Sequence, residues 1–600
     1  MSPSPLDAWT EVPAAGVRWW VTPELRETLI GPAGLRMDDW LREGRATVVK
    51  QGPHRVVWRV QLADGQIIYV KHNLLPDVRA WLRQLVRPSK SRMEFDRAVA
   101  VASRGVPTVE PLALGERRTI LGACDSYLVT RALENTETLN SFLASTLAPM
   151  PAPRHSRIRK RLATAIGEFV ARLHDAGIRH DDLHAANILV RLSDTDDIKL
   201  FLIDLNAVRL SPALDWQTSR DNLVLVARWF APRVSRADRL RFWRAYYQAR
   251  KFGAWPRGSH GHREHFVKAG EVERCALEST LTFWKNRDPR CFRSNKYFRR
   301  IRWPGVIGHA VADFDAHELA AFLADPDAPF RQPGIKLYKD SRGSTVAEID
   351  CVHAGTQRSF IYKRFRVGSW TDPLASLVRP SPALRSWKFG HGFRERCLPT
   401  ARPLMVLHRA KAGMHREAYL LTEKIDNALD LHRFASHLAT MPPEQSRPRI
   451  RIAVDAVARA LRHLHHWRLS HRDLKATNLI ISLDLDRPLA PFLPVDAVAP
   501  GVPIPSLLPL PAWPVWFIDL AGVRQHTRLP RSRRIQNLAR LHASFHQSRQ
   551  LTRTDKLRFL RRYLLWNLVG KGGWKSWWKA IEEATTRKVA RNRRRGRVLT

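Results

Sequence analysis

The chain has 600 residues, more than one hydrophobic core usually serves, so two domains of about 250 residues each are expected. Apolar residues make up 44%, which excludes a disordered chain, and five scattered cysteines (Cys124, Cys275, Cys291, Cys351, Cys397) without a C-x-x-C pair exclude a zinc ribbon or a disulfide framework. The 100 Lys and Arg against 56 Asp and Glu leave a net charge of +44, which suits an anionic membrane or a phosphorylated glycolipid; no basic motif with interleaved aromatics is present, so nucleic acid is not an expected partner.

Met1-Ser2-Pro3-Ser4-Pro5 lacks the basic and apolar regions of a secretion signal, and residues 1–44 are read as an N-terminal extension. Three strands are predicted around a turn: Ala46 to Lys50, Val56 to Val60, and Ile67 to Val70 after Ala63-Asp64-Gly65. Lys71 closes the third. A helix near 90–104 carries Glu94, and the extended run Tyr127-Leu128-Val129-Thr130-Arg131-Ala132 reads as the connector between two lobes. A long amphipathic helix, about Arg157 to Ala176, ends at Gly177. Next come His180-Asp181-Asp182-Leu183-His184-Ala185-Ala186-Asn187 and the apolar Phe201-Leu202-Ile203-Asp204-Leu205.

The pattern then repeats. Lys71, Leu85-Val86-Arg87-Pro88-Ser89, Pro107-Thr108 and Tyr127-Leu128-Val129-Thr130 recur 292 positions later as Lys363, Leu377-Val378-Arg379-Pro380-Ser381, Pro399-Thr400 and Tyr419-Leu420-Leu421-Thr422. His471-Arg472-Asp473-Leu474-Lys475-Ala476-Thr477-Asn478 and Trp516-Phe517-Ile518-Asp519-Leu520 complete the second copy. A constant offset over this span means tandem homologous domains. The expected division is 45–310 for the first domain, 311–334 for a linker, 335–585 for the second domain and 586–600 for a solvated basic tail. Between Asn478 and Asp519 there are 41 positions, against 17 between Asn187 and Asp204. The extra length falls in a proline-rich insertion, about 488–514, which reads as an extended loop because interior prolines cost a helix about 3 kcal/mol each.

H-x-D-x-x-x-x-N followed by a hydrophobic-Asp strand is the signature of protein-kinase-like phosphotransfer. It makes Asp182 and Asp473 the candidates to orient the acceptor hydroxyl and take its proton. Asn187, Asp204, Asn478 and Asp519 are candidate Mg2+ ligands, because this hard cation takes oxygen donors. Lys71 and Lys363 are candidates for the ATP phosphates, with Glu94 pairing Lys71. Ser386 stands where the second copy would need that glutamate, and Lys475, replacing His184, adds positive charge beside the nucleotide. No G-x-G-x-x-G exists in either copy; only Gly52 and Gly343 lie near the first turns.

The two catalytic loops, Ile-Asp-Leu in place of Asp-Phe-Gly, and the Gly105-Val106-Pro107-Thr108 turn resemble the lipopolysaccharide kinase family, the kinases of core heptose and of 3-deoxy-D-manno-octulosonic acid (Kdo), over roughly residues 45–250 and 335–570. The resemblance implies an α+β fold, with two tandem protein-kinase-like domains, each a small β-rich lobe and a mostly helical lobe. It also implies ATP and Mg2+ as cofactors and a sugar hydroxyl of lipopolysaccharide core or a related glycolipid as acceptor. The expected location is cytoplasmic, against the inner face of the membrane. Two alternatives stay open: a Ser/Thr protein kinase, although no Ala-Pro-Glu platform follows either metal-site strand, and a scaffold that binds nucleotide without transfer.

Overall fold

The computed structural model describes residues 9–52, 54–74, 88–119, 122–250, 259–353, 355–366, 379–411, 414–484, 515–546, 548, 550–565 and 573–596. The proline-rich insertion, Leu85-Val86-Arg87 and Leu377-Val378 lie outside them. The chain divides into two compact units, Met1–Ala276 and Leu277–Thr600, with the division inside the helix Ser259–Arg287.

The first unit begins with a seven-stranded antiparallel sheet. Its order is Thr10–Ala14, Val17–Val21, Pro111–Thr119, Gly122–Arg131, Ile67–Asn73, Arg55–Gln61 and Ala46–Gly52. The segment read as an N-terminal extension therefore supplies two strands of this sheet. Its Val17-Arg18-Trp19-Trp20-Val21 alternates: Val17, Trp19 and Val21 are buried and Arg18 is exposed. Trp19 packs with Trp40, Val60, Ile68, Val70, Leu112 and Val129, each such burial being worth about 1.5–3 kcal/mol. The helix Lys90–Ser103 lies against the sheet and starts at Ser89, whose Oγ accepts from the Arg92 amide at 3.0 Å.

The helical lobe of this unit is built on Ala152–Asp175, Trp216–Phe230 and Arg236–Ala249. The sheet Glu137–Thr138, Ile188–Leu192, Ile198–Leu202 and the ribbon Ile178–His180 with Val208–Leu210 complete it. Gly177 turns the chain out of the long helix at φ +67°, and a Cβ there would lie 1.9 Å from the Ser211 carbonyl oxygen, so only glycine fits.

The second unit repeats this order. Its seven strands run Phe298–Trp303, Val306–Val311, Pro403–Lys411, Met414–Glu423, Thr356–Phe365, Ser344–His353 and Lys336–Ser341. Residues 298–311 pair within this sheet, although the boundaries expected from sequence put them with the first domain and its linker. The helix Pro382–Glu395 is capped by Ser381, whose Oγ accepts from the Leu384 amide at 3.0 Å. Ser89 and Ser381 are 292 positions apart, so the two helices are in register and Ser386 occupies the Glu94 position. The helical lobe comprises Pro443–His466, Arg531–Ala543, Arg553–Leu564 and Gly573–Arg594. Much of the expected basic tail is helix: Val589 and Thr585 are buried, which anchors the turn bearing Arg587, Lys588 and Arg591. Each unit thus has the expected α+β composition. Among the described residues no helix is long and apolar enough to cross a membrane.

Candidate active site

In each unit a buried polar frame holds the catalytic loop. In the first, His174 meets the Tyr246 hydroxyl at Nδ1 (2.9 Å) and Asn222 Oδ1 at Nε2 (3.2 Å), and Asn222 Nδ2 donates to the His180 carbonyl at 2.7 Å. In the second, His465 meets Tyr563 (2.7 Å) and Asn537 Oδ1 (3.2 Å), which also accepts from the His471 amide at 3.0 Å. Burial pushes both histidines down to about 3, so each is neutral. His180 and His471 are themselves buried, and each accepts at Nδ1, at 3.2 Å, from the amide of the motif aspartate, Asp182 or Asp473. The histidine of the motif is thus a positioning residue.

The proposed metal ligands are tied together by backbone. Asn187 Nδ2 donates to the Asp182 carbonyl at 2.9 Å, and the Asn187 carbonyl accepts from the Ile203 amide at 3.0 Å, one residue before Asp204. Asn478 repeats this with Asp473 (2.7 Å) and Ile518 (3.1 Å). With its amide nitrogen engaged, each asparagine presents Oδ1 as an oxygen donor. Asp204 and Asp519 adopt left-handed backbone (φ +58° and +55°), a conformation Asp tolerates better than most residues. The Pro-Thr pairs noticed as repeats clamp these strands. Leu202 donates to the Pro107 carbonyl at 2.9 Å and Thr108 Oγ1 to the Leu202 carbonyl at 2.7 Å. Phe517, Pro399 and Thr400 make the same bonds at 2.9 and 2.7 Å.

The lysines differ. Lys71 forms an ion pair with the buried Glu94, as expected, and Glu94 Oε2 also accepts from Asn206 Nδ2 at 2.7 Å. Arg97, one turn along the same helix, bonds the Asn206 carbonyl at 2.5 Å. Among the described residues no ion pair engages the Asp204 carboxylate. In the second unit Lys363 instead bonds Asp519 Oδ1 at 2.7 Å. Burial pushes Asp519 up, but the Lys363 ammonium outweighs it and holds the carboxyl below its ordinary value. Ser386 is buried and its Oγ has no partner among the described residues, while Ala521 and Phe389 stand where Asn206 and Arg97 stood.

The two motif aspartates also differ in company. His184 Nε2 lies 3.4 Å from Asp182 Oδ2 and holds that carboxyl below its ordinary value against partial burial. Lys475, at the His184 position, makes no side-chain hydrogen bond among the described residues, and nothing places it on a nucleotide. Sequence reading missed Arg228 and Arg540. Each comes from the helix after the strand that leads to Asp204 or Asp519, and each feels the motif aspartate of its own unit, Asp182 or Asp473. Gly52 ends the strand Ala46–Gly52, where an added Cβ would meet the Arg55 carbonyl oxygen at 3.8 Å, and Gly343 lies in the turn between Lys336–Ser341 and Ser344–His353 with nothing within 4 Å.

The model of the lipopolysaccharide kinase (Kdo/WaaP) family matches residues 41–246 and 351–487, more than half of the chain. The lipopolysaccharide core heptose(I) kinase WaaP of Pseudomonas aeruginosa is 28% identical over 166 residues, covering 26% of this chain and 59% of that protein. The 3-deoxy-D-manno-octulosonic acid kinase of Mannheimia succiniciproducens is 28% identical over 148 residues, covering 25% of this chain and 56% of that protein. The chain thus spans under three fifths of the length of these two relatives. Among solved structures, WaaP in complex with acyl carrier protein is 22% identical, with a TM-score of 0.30 and coverage of 43% of this chain and 96% of that one. With the family pattern matched in both halves of the sequence, the chain belongs to the lipopolysaccharide kinase (Kdo/WaaP) family.

Proposed function

We propose that the first domain transfers the γ-phosphoryl group of ATP to a hydroxyl, the acceptor being a sugar of lipopolysaccharide core or a related glycolipid. The observation that carries this is the Lys71–Glu94–Asn206 chain in the same unit as Asp182, Asn187 and Asp204. Lys71 would steady the α- and β-phosphates from its strand end. Asp182 would orient the acceptor hydroxyl and receive its proton; its lowered pKa keeps it ionised at neutral pH. Asn187 Oδ1 and the Asp204 carboxylate fit Mg2+, two hard oxygen donors leaving room for phosphate oxygens and water, and the ion would neutralise charge on the phosphates. The related proteins named above are kinases of heptose and of Kdo, which supports a sugar acceptor. The net charge of +44 suits an acidic glycolipid reached from the cytoplasmic face of an anionic membrane.

For the second domain a further reading has its own observation. Lys363 on Asp519 and the lack of a carboxylate at Ser386 support reading this copy as a nucleotide-binding scaffold, or as a transferase that must first release its lysine. Incubating the full chain with labelled ATP and Mg2+, with lipopolysaccharide core and separately with a casein-like protein, tests both readings. Label on the glycolipid that is lost in Asp182→Ala and kept in Asp473→Ala is the expected result. Label on protein alone, or transfer surviving in the double variant, would overturn the assignment.

A further inference from the structure

The second unit contains a cavity of about 110 Å³ beside the catalytic loop, lined by Ser470, Arg472, Arg524, His526, Arg533, Asn537 and Arg540. That is several times the space one water needs. Arg472 precedes Asp473. Arg524 comes from the strand Val523–Gln525, and Arg533 and Arg540 lie two turns apart on one face of the helix Arg531–Ala543. None of the four arginines has a carboxylate partner among the described residues; Arg533 Nη1 reaches only Gln536 Oε1, at 3.2 Å. Arg385 faces the same group, and its pKa is lowered by burial and by Arg524 and Arg472. The polar neutral residues are arranged as donors or as supports. Ser470 Oγ and His526 Nε2 are bonded at 2.7 Å, and Asn537 uses Oδ1 on His465 and the His471 amide, which leaves its Nδ2 without a bond among the described residues.

The same place in the first unit holds a carboxylate. Asp181 stands at the Arg472 position and accepts from Arg179 at 2.8 Å and from Arg209 at 2.6 Å. Register then sets Arg524 on Arg209, Ser470 on Arg179, Arg533 on Thr218 and Arg540 on Leu225. One carboxylate ion-paired with two arginines has become four arginines with no ion-paired carboxylate among the described residues, Asp473 being the acid whose field reaches Arg540. Arg472, Arg524 and Arg533 are exposed and Arg540 is half-buried; an acid is replaced by arginine and two uncharged helix positions turn cationic around one cavity. Like charges crowded together cost folding free energy unless an anion joins them.

We propose that this cavity is a binding site for a tetrahedral oxyanion of the phosphate class, either free phosphate or the phosphomonoester group of a larger ligand. Guanidinium forks from three elements can each take a pair of oxygens, which suits a dianion with three or four acceptor oxygens better than a carboxylate with two. The site does not depend on phosphoryl transfer and is testable without nucleotide.

The full chain, free of ATP and Mg2+ and at 0.15 M NaCl, would be titrated calorimetrically with inorganic phosphate, with glycerol phosphate and with acetate. The expected result is one saturable site for phosphate, for glycerol phosphate or for both, and at least tenfold weaker binding of acetate. Arg533→Thr and Arg540→Leu install the first unit's residues at those positions, and each should weaken the anion at least tenfold. Arg449→Thr combined with Arg451→Thr, which removes two exposed charges elsewhere in the same unit, should leave binding within twofold. Phosphate should raise the wild-type melting temperature and raise it less in the two cavity variants, which distinguishes a lost site from a lost fold. Glycerol phosphate binding as tightly as phosphate assigns a phosphomonoester; a tenfold preference for phosphate assigns the free ion. No saturation by either at 50 mM, acetate binding as tightly as phosphate, or equal weakening in the remote double variant would overturn the proposal.

Discussion

In the first unit, Lys71 rests on Glu94, Asn206 bridges from the metal-site turn to the same carboxylate, and Arg97 ties the helix to that turn. In the second unit the helix is in the same register and the clamp on the metal-site strand is made of the same bonds. Glutamate, asparagine and arginine have become Ser386, Ala521 and Phe389, and Lys363 has turned to Asp519. One frame therefore supports two electrostatic arrangements. The frame is backbone hydrogen bonds and buried neutral polar groups, whereas the arrangement depends on three side chains. The second can change while the first persists.

The largest test of this contrast is to remove Asp182 and Asp473 separately. Asp182→Ala should reduce the first domain's transfer by about 10²–10⁴-fold. Asp473→Ala should change total transfer less than twofold if the second unit is a scaffold. The comparison breaks if the two losses are equal in glycolipid labelling by the full chain.

Next in size is the lysine support. Glu94→Ala should slow the first domain by about 10–100-fold, because Lys71 loses its position, while Ser386→Ala should leave nucleotide binding by the second unit unchanged. Equal effects in paired kinetic and calorimetric measurements would mean that the helices are wired alike after all.

A smaller difference is expected in metal dependence. Mg2+ at Asp519 must displace or share with Lys363, a partly exposed ion pair worth at most about 1 kcal/mol, so the second unit should need about fivefold more Mg2+ than the first for half-maximal ATP binding. Lys363→Met should remove that difference. An unchanged Mg2+ midpoint in that variant would leave the Lys363–Asp519 pair without influence on the metal.

The mildest test concerns pH. His184 holds the Asp182 carboxyl below its ordinary value, so the acid limb of the first domain's rate profile should lie below the ordinary carboxylate range. The same depression contributes stability that is present above the unfolded carboxyl's pKa and is lost as pH falls through the folded one. His184→Ala should move the acid limb upward. A profile that stays in place would show that His184 does not act on Asp182.

Much of this was legible in sequence because it is local. The catalytic loops, the tandem offset, the helix holding Glu94 and its pairing with Lys71 all follow from spacing, and the repeated Ser89 and Ser381 proved to be helix caps. What sequence hid is long-range. Lys363 and Asp519 are 156 positions apart, and nothing local announces that a lysine deprived of its glutamate will take that carboxylate. The strands Thr10–Ala14 and Val17–Val21 were read as an extension because their sheet partner begins at Pro111, although the alternation of Val17, Trp19 and Val21 was there to be read. The basic cavity was invisible for the same reason: its arginines come from three elements and count only as dispersed charge in the chain.

The Pro-Thr clamps have a consequence for what the chain can carry. In the first unit the strands leading from Asn187 and into Asp204 are joined by residues 193–197; in the second the corresponding connection is 483–514. Both strand pairs keep the same register, Ile188 opposite Leu202 and Leu479 opposite Phe517. The bonds from Pro399, Thr400 and Asn478 meet the returning strand after the connection has ended. The join thus works as a splice point: sequence can be inserted, exchanged or cut back there, a reporter peptide included, while the aspartate two residues past the clamp keeps its place.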